Sequence, residues 1–481
     1  MTRPNDCSWG AFSDEAPWLL SEDKLAWAND ATQIRINVRR EVPDLTTPRR
    51  IPPLGRLLYV VCVLGKAVVP WLVRKKFKRF ESAKESNAVI SLRLRKAVET
   101  LGPTYIKLGQ IISSGEGLFP GELVEEFKRC RDQVPAEPFE TVRLTIEQDM
   151  GCRLNDVFLH IDTTPLAAAS IAQVHAATLT TGESVVVKVQ RPNIGKLVRK
   201  DLRVMAWLAP FLIGRIKIAA LANPPALVEL FAETIVEELD FRMEAANMVD
   251  VSRMLHRLNQ TGYIVPRPHP SLVSRRILVM ERLYGFNFDD VDGMKAAGLD
   301  TEAIIRTGMI AFMEGAMIEG IFHGDLHGGN LFVLSDGRTA LLDFGIVGRL
   351  SPARRVAFLR MLLGATTNDV KSQVEALRDL GALPLDVDVA QVITDLRLDQ
   401  QAIDPTSLSG EDLVKEVQRI VQALLGYGAS MPKELMLYVK NMVFLDGAIS
   451  RLAPDLDILA EVANISMLFA ERHGEQIGRD L

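Results

Sequence analysis

Cysteine is scarce in this chain. Four stand among 481 residues (Cys7, Cys62, Cys130 and Cys152), scattered, with no Cys-x-x-Cys and no His-Cys cluster. That argues against a structural zinc site and for a reducing compartment. A basic excess is also missing. The formal net charge is −5, so no global positive field points to nucleic acid. The first thirty residues hold several acids and no long apolar run, which argues against a secretory signal. Beyond residue 345 no segment carries 18 uncharged apolar residues, so no C-terminal membrane span is expected. Fixed-period repeats and low-complexity tracts are lacking too. What remains is 48% hydrophobic and 24% charged, ordinary for a soluble globular protein. The length suffices for two or three domains with a sizeable core.

Against these absences one stretch concentrates chemistry. It reads Phe322-His323-Gly324-Asp325-Leu326-His327-Gly328-Gly329-Asn330, followed by Leu341-Leu342-Asp343-Phe344-Gly345. An Asp followed five positions later by an Asn, and then by Asp-Phe-Gly, is the order used in phosphoryl transfer. Asp325 would accept or orient the acceptor's proton, and Asn330 and Asp343 would hold Mg²⁺ against nucleotide phosphates. Carboxylate and amide oxygens suit Mg²⁺, which takes few protein ligands.

In chain order, residues 1–50 read as a polar lead-in, partly without fixed structure. Residues 51–84 form an apolar and then basic segment. Its apolar part, Leu57–Val73, is short, carries Lys66 at its middle and contains Pro70, read here as a break. The cluster Arg74, Lys75, Lys76, Lys78 and Arg79 follows, with Phe77 and Phe80 interleaved. A spanning helix needs roughly 20 apolar residues, so the expectation is a helix lying in the membrane interface, its cations on anionic head groups. The competing reading is a helix packed on the protein's own core.

Helical periodicity returns from Asn87 to Pro135, where Lys107 and Gln110 share one helix face, and Phe139–Met150 reads as a further helix; together 85–156 are taken as one helical extension. Short strands begin at Val157. Thr180-Thr181-Gly182 marks a hairpin turn, and Ser184–Gln190 is a β-branched strand carrying Lys188. A lysine in a buried strand calls for an anionic partner. Just upstream, where a Gly-rich phosphate loop would be expected, stand Ala167, Ala168, Ala169 and Ser170. Residues 191–225 read as a helical insertion. A long helix is expected from about Ala226 to Leu258, with Glu233, Glu237, Asp240 and Glu244 on one face. Ile277–Gly285 reads as a strand and glycine-bounded hinge. In a two-lobed kinase, backbone groups of Glu281 to Leu283 would bind adenine there and Met280 would abut the ring. After Gly345 helices are expected over 353–364, 368–380, 388–400, 411–426, 431–452 and 455–473.

These residues resemble the UbiB/ADCK family of atypical kinases over roughly residues 85–450. Lys107-Leu108-Gly109-Gln110 is similar to its KxGQ motif, Ala167–Ser170 to its alanine-rich loop, and Val187-Lys188-Val189-Gln190 to its nucleotide-lysine strand. Glu238-Leu239-Asp240 is similar to its ExD motif. The resemblance implies an α+β, bilobal protein-kinase-like fold with a helical N-terminal KxGQ extension and a helical C-terminal extension. The N-lobe would be 157–283 and the C-lobe 284–450, with 451–481 a terminal helix. It implies that Glu244 pairs with Lys188. It also implies that Lys107 meets Glu238, with Gln110 and Asp240, in a gate over the site where a protein substrate would lie. ATP or ADP and Mg²⁺ would be the cofactors. The expected partners are membrane lipids or an isoprenoid quinone precursor, within a lipid-biosynthesis complex, with no nucleic acid. Oligomeric state is left open, a dimer included. The expected location is peripheral on the cytoplasmic face of a membrane, or cytoplasmic.

Two departures stand beside this. His323-Gly324-Asp325-Leu326-His327 also resembles the loop of aminoglycoside-phosphotransferase-type kinases. The C-terminal spanning helices of some relatives are not evident. Three functions are therefore weighed: an atypical kinase or ATPase serving quinone or lipid biosynthesis, a small-molecule or lipid kinase, and a non-catalytic nucleotide-dependent scaffold.

Overall fold

The computed structural model describes residues 25–77, 79–113, 119–130, 134–213, 224–366, 369–396, 427, 432–456 and 458–480. Most of the lead-in's first half, Lys78 of the basic cluster, much of the insertion's end and the helix expected over 411–426 lie outside them. The chain divides into two units. One runs to Ala246 and takes back Arg267–Arg282; the other holds Asn247–Pro266 and the chain from Leu283 on.

The first unit contains an antiparallel sheet. Its strands are β1 (Phe158–Ile161), β2 (Ala167–Ala168), β3 (Ala172–Leu179), β4 (Ser184–Gln190), β6 (Pro268–Val273) and β7 (Ile277–Glu281). The order is β1-β3-β4-β7-β6, with β2 added on β3. β4 lies at the centre, so Val185, Val187 and Val189 are buried on one face. The turn at Gly182 takes φ +103°, which suits glycine. Around the sheet stand α1 (Ala31–Thr46), α2 (Leu54–Lys76), α3 (Ala83–Leu101), α4 (Pro103–Ser113), α5 (Gly121–Lys128), α6 (Phe139–Met150), α7 (Ile194–Leu212), α8 (Pro224–Glu238) and the start of α9 (Phe241–Arg257).

Three expectations change here. First, residues 31–46 are not a loose lead-in. Ile34, Val38, Val42 and Leu45 recur at helical spacing and are buried, and Glu41 binds Arg199 of α7 at 2.5 Å. Second, Pro70 does not break its helix. α2 runs unbroken through it for 23 residues. Proline lacks the N–H that would bond the Lys66 carbonyl. Arg93 of α3 supplies donors instead, Nη2 to Lys66 O at 2.7 Å and Nε to Ala67 O at 2.6 Å. Third, the long helix over 226–258 is two helices. The chain breaks at Leu239-Asp240, where Asp240 accepts the Arg242 N–H at 3.2 Å and pairs with its guanidinium at 2.8 Å. Glu233 and Glu237 therefore do not share a helix face with Asp240 and Glu244.

The second unit holds a four-stranded sheet, β5 (Tyr263–Ile264)-β11 (Thr339–Leu341)-β10 (Leu331–Val333)-β8 (Phe286–Asn287), and a two-stranded pair, β9 (Ile321–His323) with β12 (Val347–Arg349). Helices follow: α10 (Thr301–Glu314), α11 (Pro352–Thr366), α12 (Val370–Asp379), α13 (Val389–Leu396), α14 (Lys433–Leu452) and α15 (Ile458–Asp480). α10 continues into a π-helical turn, Gly315–Glu319, before β9. Helices and sheets mix as the α+β class requires.

Candidate functional site

The first unit gathers the residues expected to meet the nucleotide. Lys188 is opposite Val174 on β3 and Leu278 on β7, in the middle of the sheet. It is buried, and its Nζ meets Glu244 Oε1 at 2.8 Å and lies 5.6 Å from the centre of the Phe241 ring. Glu244 stands in the first turn of α9, where a negative charge is favoured by the exposed N–H groups. A buried ion pair must offset two desolvations, so it persists only with close geometry; 2.8 Å meets that condition.

Lys107 Nζ reaches Glu238 Oε1 at 3.1 Å, with side-chain exposures of 15% and 5%. Glu238 is the last residue of α8 and Glu244 lies on α9, so one helix break carries both acceptors. Gln190, at the end of Lys188's own strand, fixes that break by donating to Leu239 O at 3.1 Å. Gln110 is half-buried, one turn beyond Lys107. Between them Gly109 faces the Phe127 ring so closely that a Cβ would stand 2.8 Å from Cδ1. Asp240 is held by Arg242 rather than by α4.

The alanine turn is braced from below. Ala169 N–H bonds Ala172 O at 2.8 Å. Buried Arg191 donates to Ala169 O at 3.0 Å, to Pro135 O at 2.9 Å and to Glu137 at 3.1 Å. Ala167 is exposed while Ser170 is buried. Under the turn, Gln173 accepts the Glu137 N–H at 2.8 Å and contacts His175 Nε2 at 2.8 Å. His175 Nδ1 then donates to Asp162 O at 2.7 Å. Burial pushes the His175 pKa down, which keeps the ring neutral in this relay. Met280 and Glu281 end β7, both buried. Glu281 N–H is bonded to Arg267 O at 3.0 Å and Arg282 N–H to Ser184 O at 3.3 Å. Two of the backbone N–H groups expected at the hinge are therefore already committed within the first unit. Leu283 itself belongs to the second unit, packed with Ile264, Leu334 and Ala340.

The second unit gathers the residues expected to carry the chemistry. His323 organises them. Its Nδ1 accepts the Asp325 N–H at 3.1 Å, and its Nε2 donates to Leu342 O at 3.1 Å and Asp343 O at 3.0 Å. One ring thus ties the backbone of Asp325 to that of Asp343. Burial holds its pKa low, and the neutral tautomer with hydrogen on Nε2 satisfies every contact. The Phe344 ring meets it edge-on, centroids 5.2 Å apart. Asp343 adopts φ +54°, a left-handed conformation that is costly for a residue with Cβ. Its Oδ1 accepts the Gly345 N–H at 3.2 Å. Gly324 is required here, because a Cβ would sit 2.7 Å from Ile346 Cγ2.

Asn330 Nδ2 donates to Asp325 O at 3.0 Å, leaving Oδ1 as the acceptor atom of that amide. Amide and carboxylate oxygens from Asn330 and Asp343 are hard donors of the kind Mg²⁺ takes alongside phosphate and water. Among the described residues no group of three or more His, Cys, Asp or Glu forms a cage for a metal.

Sequence reasoning missed several residues that shape the site. Arg191, Gln173 and Asn247 are three; Asn247 donates to Phe344 O at 2.9 Å and accepts from Arg349 at 2.8 Å. Lys440 and Asn441 of α14 are two more. Lys440 pairs with Asp325, and Asn441 bonds both His323 O and, at 3.0 Å, the Leu326 N–H. The available signal was a polar pair inside the apolar run Leu437-Tyr438-Val439-Lys440-Asn441-Met442-Val443.

A family model described as the ABC1 atypical kinase-like domain matches residues 129–377. An uncharacterized aarF domain-containing protein kinase of Arabidopsis thaliana, chloroplastic, is 35% identical over 398 residues, covering 77% of this chain and 73% of its own. An uncharacterized Mycobacterium tuberculosis protein is 33% identical over 425 residues, 86% of each chain. A probable protein kinase UbiB of Marinobacter nauticus is 32% identical over 370 residues, 76% of this chain and 67% of that one. A solved Mycobacterium tuberculosis protein, in complex with erythromycin, is similar at 21% identity with a TM-score of 0.46, covering 72% of this chain and 87% of that one. With the family model spanning more than half of it and relatives above 30% identity matched over most of its length, the chain belongs to the ABC1 family of atypical kinase-like proteins, alongside the UbiB and aarF-domain kinases.

Proposed function

We propose that this protein is an ATP-binding atypical kinase or ATPase that supports isoprenoid quinone or other membrane-lipid biosynthesis without phosphorylating proteins. The observation that carries the reading is His323, whose ring ties Asp325 to Asp343 through three hydrogen bonds. Such bracing suits a base and a metal ligand that must hold a fixed separation. Mg²⁺, when bound, supplies charge neutralisation on the phosphates. Asn330 and Asp343 hold it, Lys188 orients the α- and β-phosphates, and Asp325 takes or orients the acceptor's proton. The alanine turn, Ala167 to Ser170, covers the phosphates, while Met280, Glu281 and Leu283 receive adenine. The Lys107–Glu238 pair closes the place of a protein substrate, with Gln110 beside it.

Membrane contact is assigned to α2. Leu54, Leu58, Val61, Val69, Leu72 and Val73 recur at helical spacing and are exposed. Among the described residues α2 is the helix long and apolar enough to cross a membrane. Arg74 lies over Phe80 and Lys75 over Trp71 at its C-terminal end. An apolar stripe ending in aromatic-shielded cations fits the interface of an anionic bilayer on the cytoplasmic side.

The test is purified protein with Mg²⁺-ATP, liposomes containing anionic lipid, and candidate quinone precursors. Phosphate release that rises with liposomes, without label on any acceptor, and that Asp325→Asn abolishes, is the expected result. A labelled lipid or small molecule would move the assignment to a lipid or small-molecule kinase, the reading favoured by the His323-Gly324-Asp325 loop. Nucleotide binding without turnover, unaffected by Asp325→Asn, would leave only a scaffold.

A further inference from the structure

The catalytic loop from His323 to Asn330 contains no lysine or arginine of its own. Phosphoryl transfer spreads negative charge over the oxygens of the group in flight, and a positioned cation there is among the larger contributions a protein makes. Here a cation reaches the loop from a helix more than a hundred residues away. Nζ of Lys440, on α14, bonds Oδ1 of Asp325.

A long lysine on a carboxylate is often a surface accident worth little. Three observations set this one apart. The two side chains are only 23% and 19% exposed. The neighbouring Asn441 is fully buried within the apolar stripe Leu437, Tyr438, Leu445, Ala448 and Ile449. A buried amide in such a stripe is tolerated only when its bonds are met. Asn441 meets them on the catalytic loop itself, donating to His323 O and accepting from Leu326 N–H, one contact on each side of Asp325. α14 and the loop are therefore held in a single register. That register, rather than the reach of a flexible side chain, delivers Lys440 to Asp325.

We propose that Lys440 is a catalytic residue that clamps the transferring phosphoryl group, standing on Asp325 between turnovers. The inference rests on the phosphotransferase reading above. In the step, a bond forms from the acceptor oxygen, of water or a hydroxyl, to the γ-phosphorus of ATP. The bond from that phosphorus to the β–γ bridging oxygen breaks, and the bridging oxygen leaves on ADP with the electron pair. The acceptor's proton passes to Asp325. Lys440 shifts its hydrogen bond from Asp325 Oδ1 to a non-bridging oxygen of the group in flight. That both balances the charge there and releases Oδ1 to receive the proton.

The experiment compares full-length wild type, Lys440→Met and Lys440→Arg. It measures Mg²⁺-ATP hydrolysis, ADP affinity, the extra ADP affinity conferred by aluminium fluoride as a phosphoryl mimic, and the thermal midpoint. Lys440→Met should lower kcat by about 10²- to 10³-fold. Its KM for ATP and its ADP affinity should stay within about twofold, and the tightening by aluminium fluoride should vanish. Lys440→Arg, which keeps the charge, should retain part of both. Hydrolysis by Lys440→Met at or above the wild-type rate overturns the clamp while leaving the phosphotransferase reading intact. So does a fall in kcat matched by losses in ADP affinity and thermal midpoint, since that is a structural role. Absence of turnover in the wild type overturns the phosphotransferase reading, and the clamp with it.

Discussion

Arg93→Met should weaken the protein because of a proline 23 residues upstream. Arg93 places two N–H groups on the carbonyls of Lys66 and Ala67, at 2.7 and 2.6 Å, where Pro70 cannot donate. A hydrogen bond from a charged donor contributes about 1.5–3 kcal/mol when buried. One of these contacts is partly buried and the other is exposed, so the two together are worth about 2 kcal/mol. Methionine keeps the apolar stem of the arginine and removes only the donors. In a helix interior proline costs about 3 kcal/mol relative to alanine. Pro70→Ala should therefore stabilise the wild type by about 1 kcal/mol, because Arg93 already offsets part of the defect. In the Arg93→Met background, with that offset gone, the same change should stabilise by about 3 kcal/mol. The double-mutant cycle then has a coupling of about 2 kcal/mol, within the range seen for residues in contact. Urea unfolding of the four proteins gives the cycle, and hydrogen exchange across α2 localises it. If the two changes add to within about 0.3 kcal/mol, the guanidinium is not what carries α2 through Pro70.

Three further predictions address other links of the argument. Burial holds the His269 pKa down at about 4, against 6.5 for the unfolded side chain. Between those values the unfolded chain binds a proton that the folded one refuses, so stability falls by about 3 kcal/mol as pH drops from 6.5 to 4; His269→Gln should flatten that part of the urea-midpoint-versus-pH curve, and an unchanged slope would refute it. Gly109→Ala should destabilise by about 1 kcal/mol, because crowding the buried Phe127 ring outweighs about 1 kcal/mol of helix propensity; adding Phe127→Leu should recover it in thermal melts. Lys107→Ala should change the rate of nucleotide turnover or allow label onto added protein acceptors, and a variant indistinguishable from wild type in both assays has no gate at Lys107.

Where sequence was legible, a local signal and its tertiary partner agreed. Ser184–Gln190 reads as a strand from its β-branched run and is one, at the same bounds. Phe139–Met150 reads as a helix and is one. Lys188 called for an anion, and the structure sets Glu244 against it. Legibility failed where a distant side chain replaced a missing backbone bond. Pro70 signals a break, and only Arg93 explains why none occurs. The glutamates of 233–244 suggest one amphipathic face, and only the bonds of Asp240 to Arg242, and of Leu239 O to Gln190, show why the helix ends between them. The partners of Asp325 were hidden for the same reason. Lys440 and Asn441 lie 115 and 116 positions beyond it, on a helix whose apolar stripe says only that it is buried.

The break at Leu239-Asp240 is short and serves two ion pairs. Glu238 closes α8 and meets Lys107; Glu244 opens α9 and meets Lys188. Glu238, the acceptor of Lys107, and Glu244, the acceptor of Lys188, thus stand six positions apart. A continuous helix would advance about 100° per residue and would have fixed the angle between the two carboxylates by its own geometry. The break frees them from that constraint, and Gln190 holds Leu239 O from the end of Lys188's strand. Gln190 and Lys188 lie on one strand, so the break that carries Glu238 is bonded to the strand that carries the partner of Glu244.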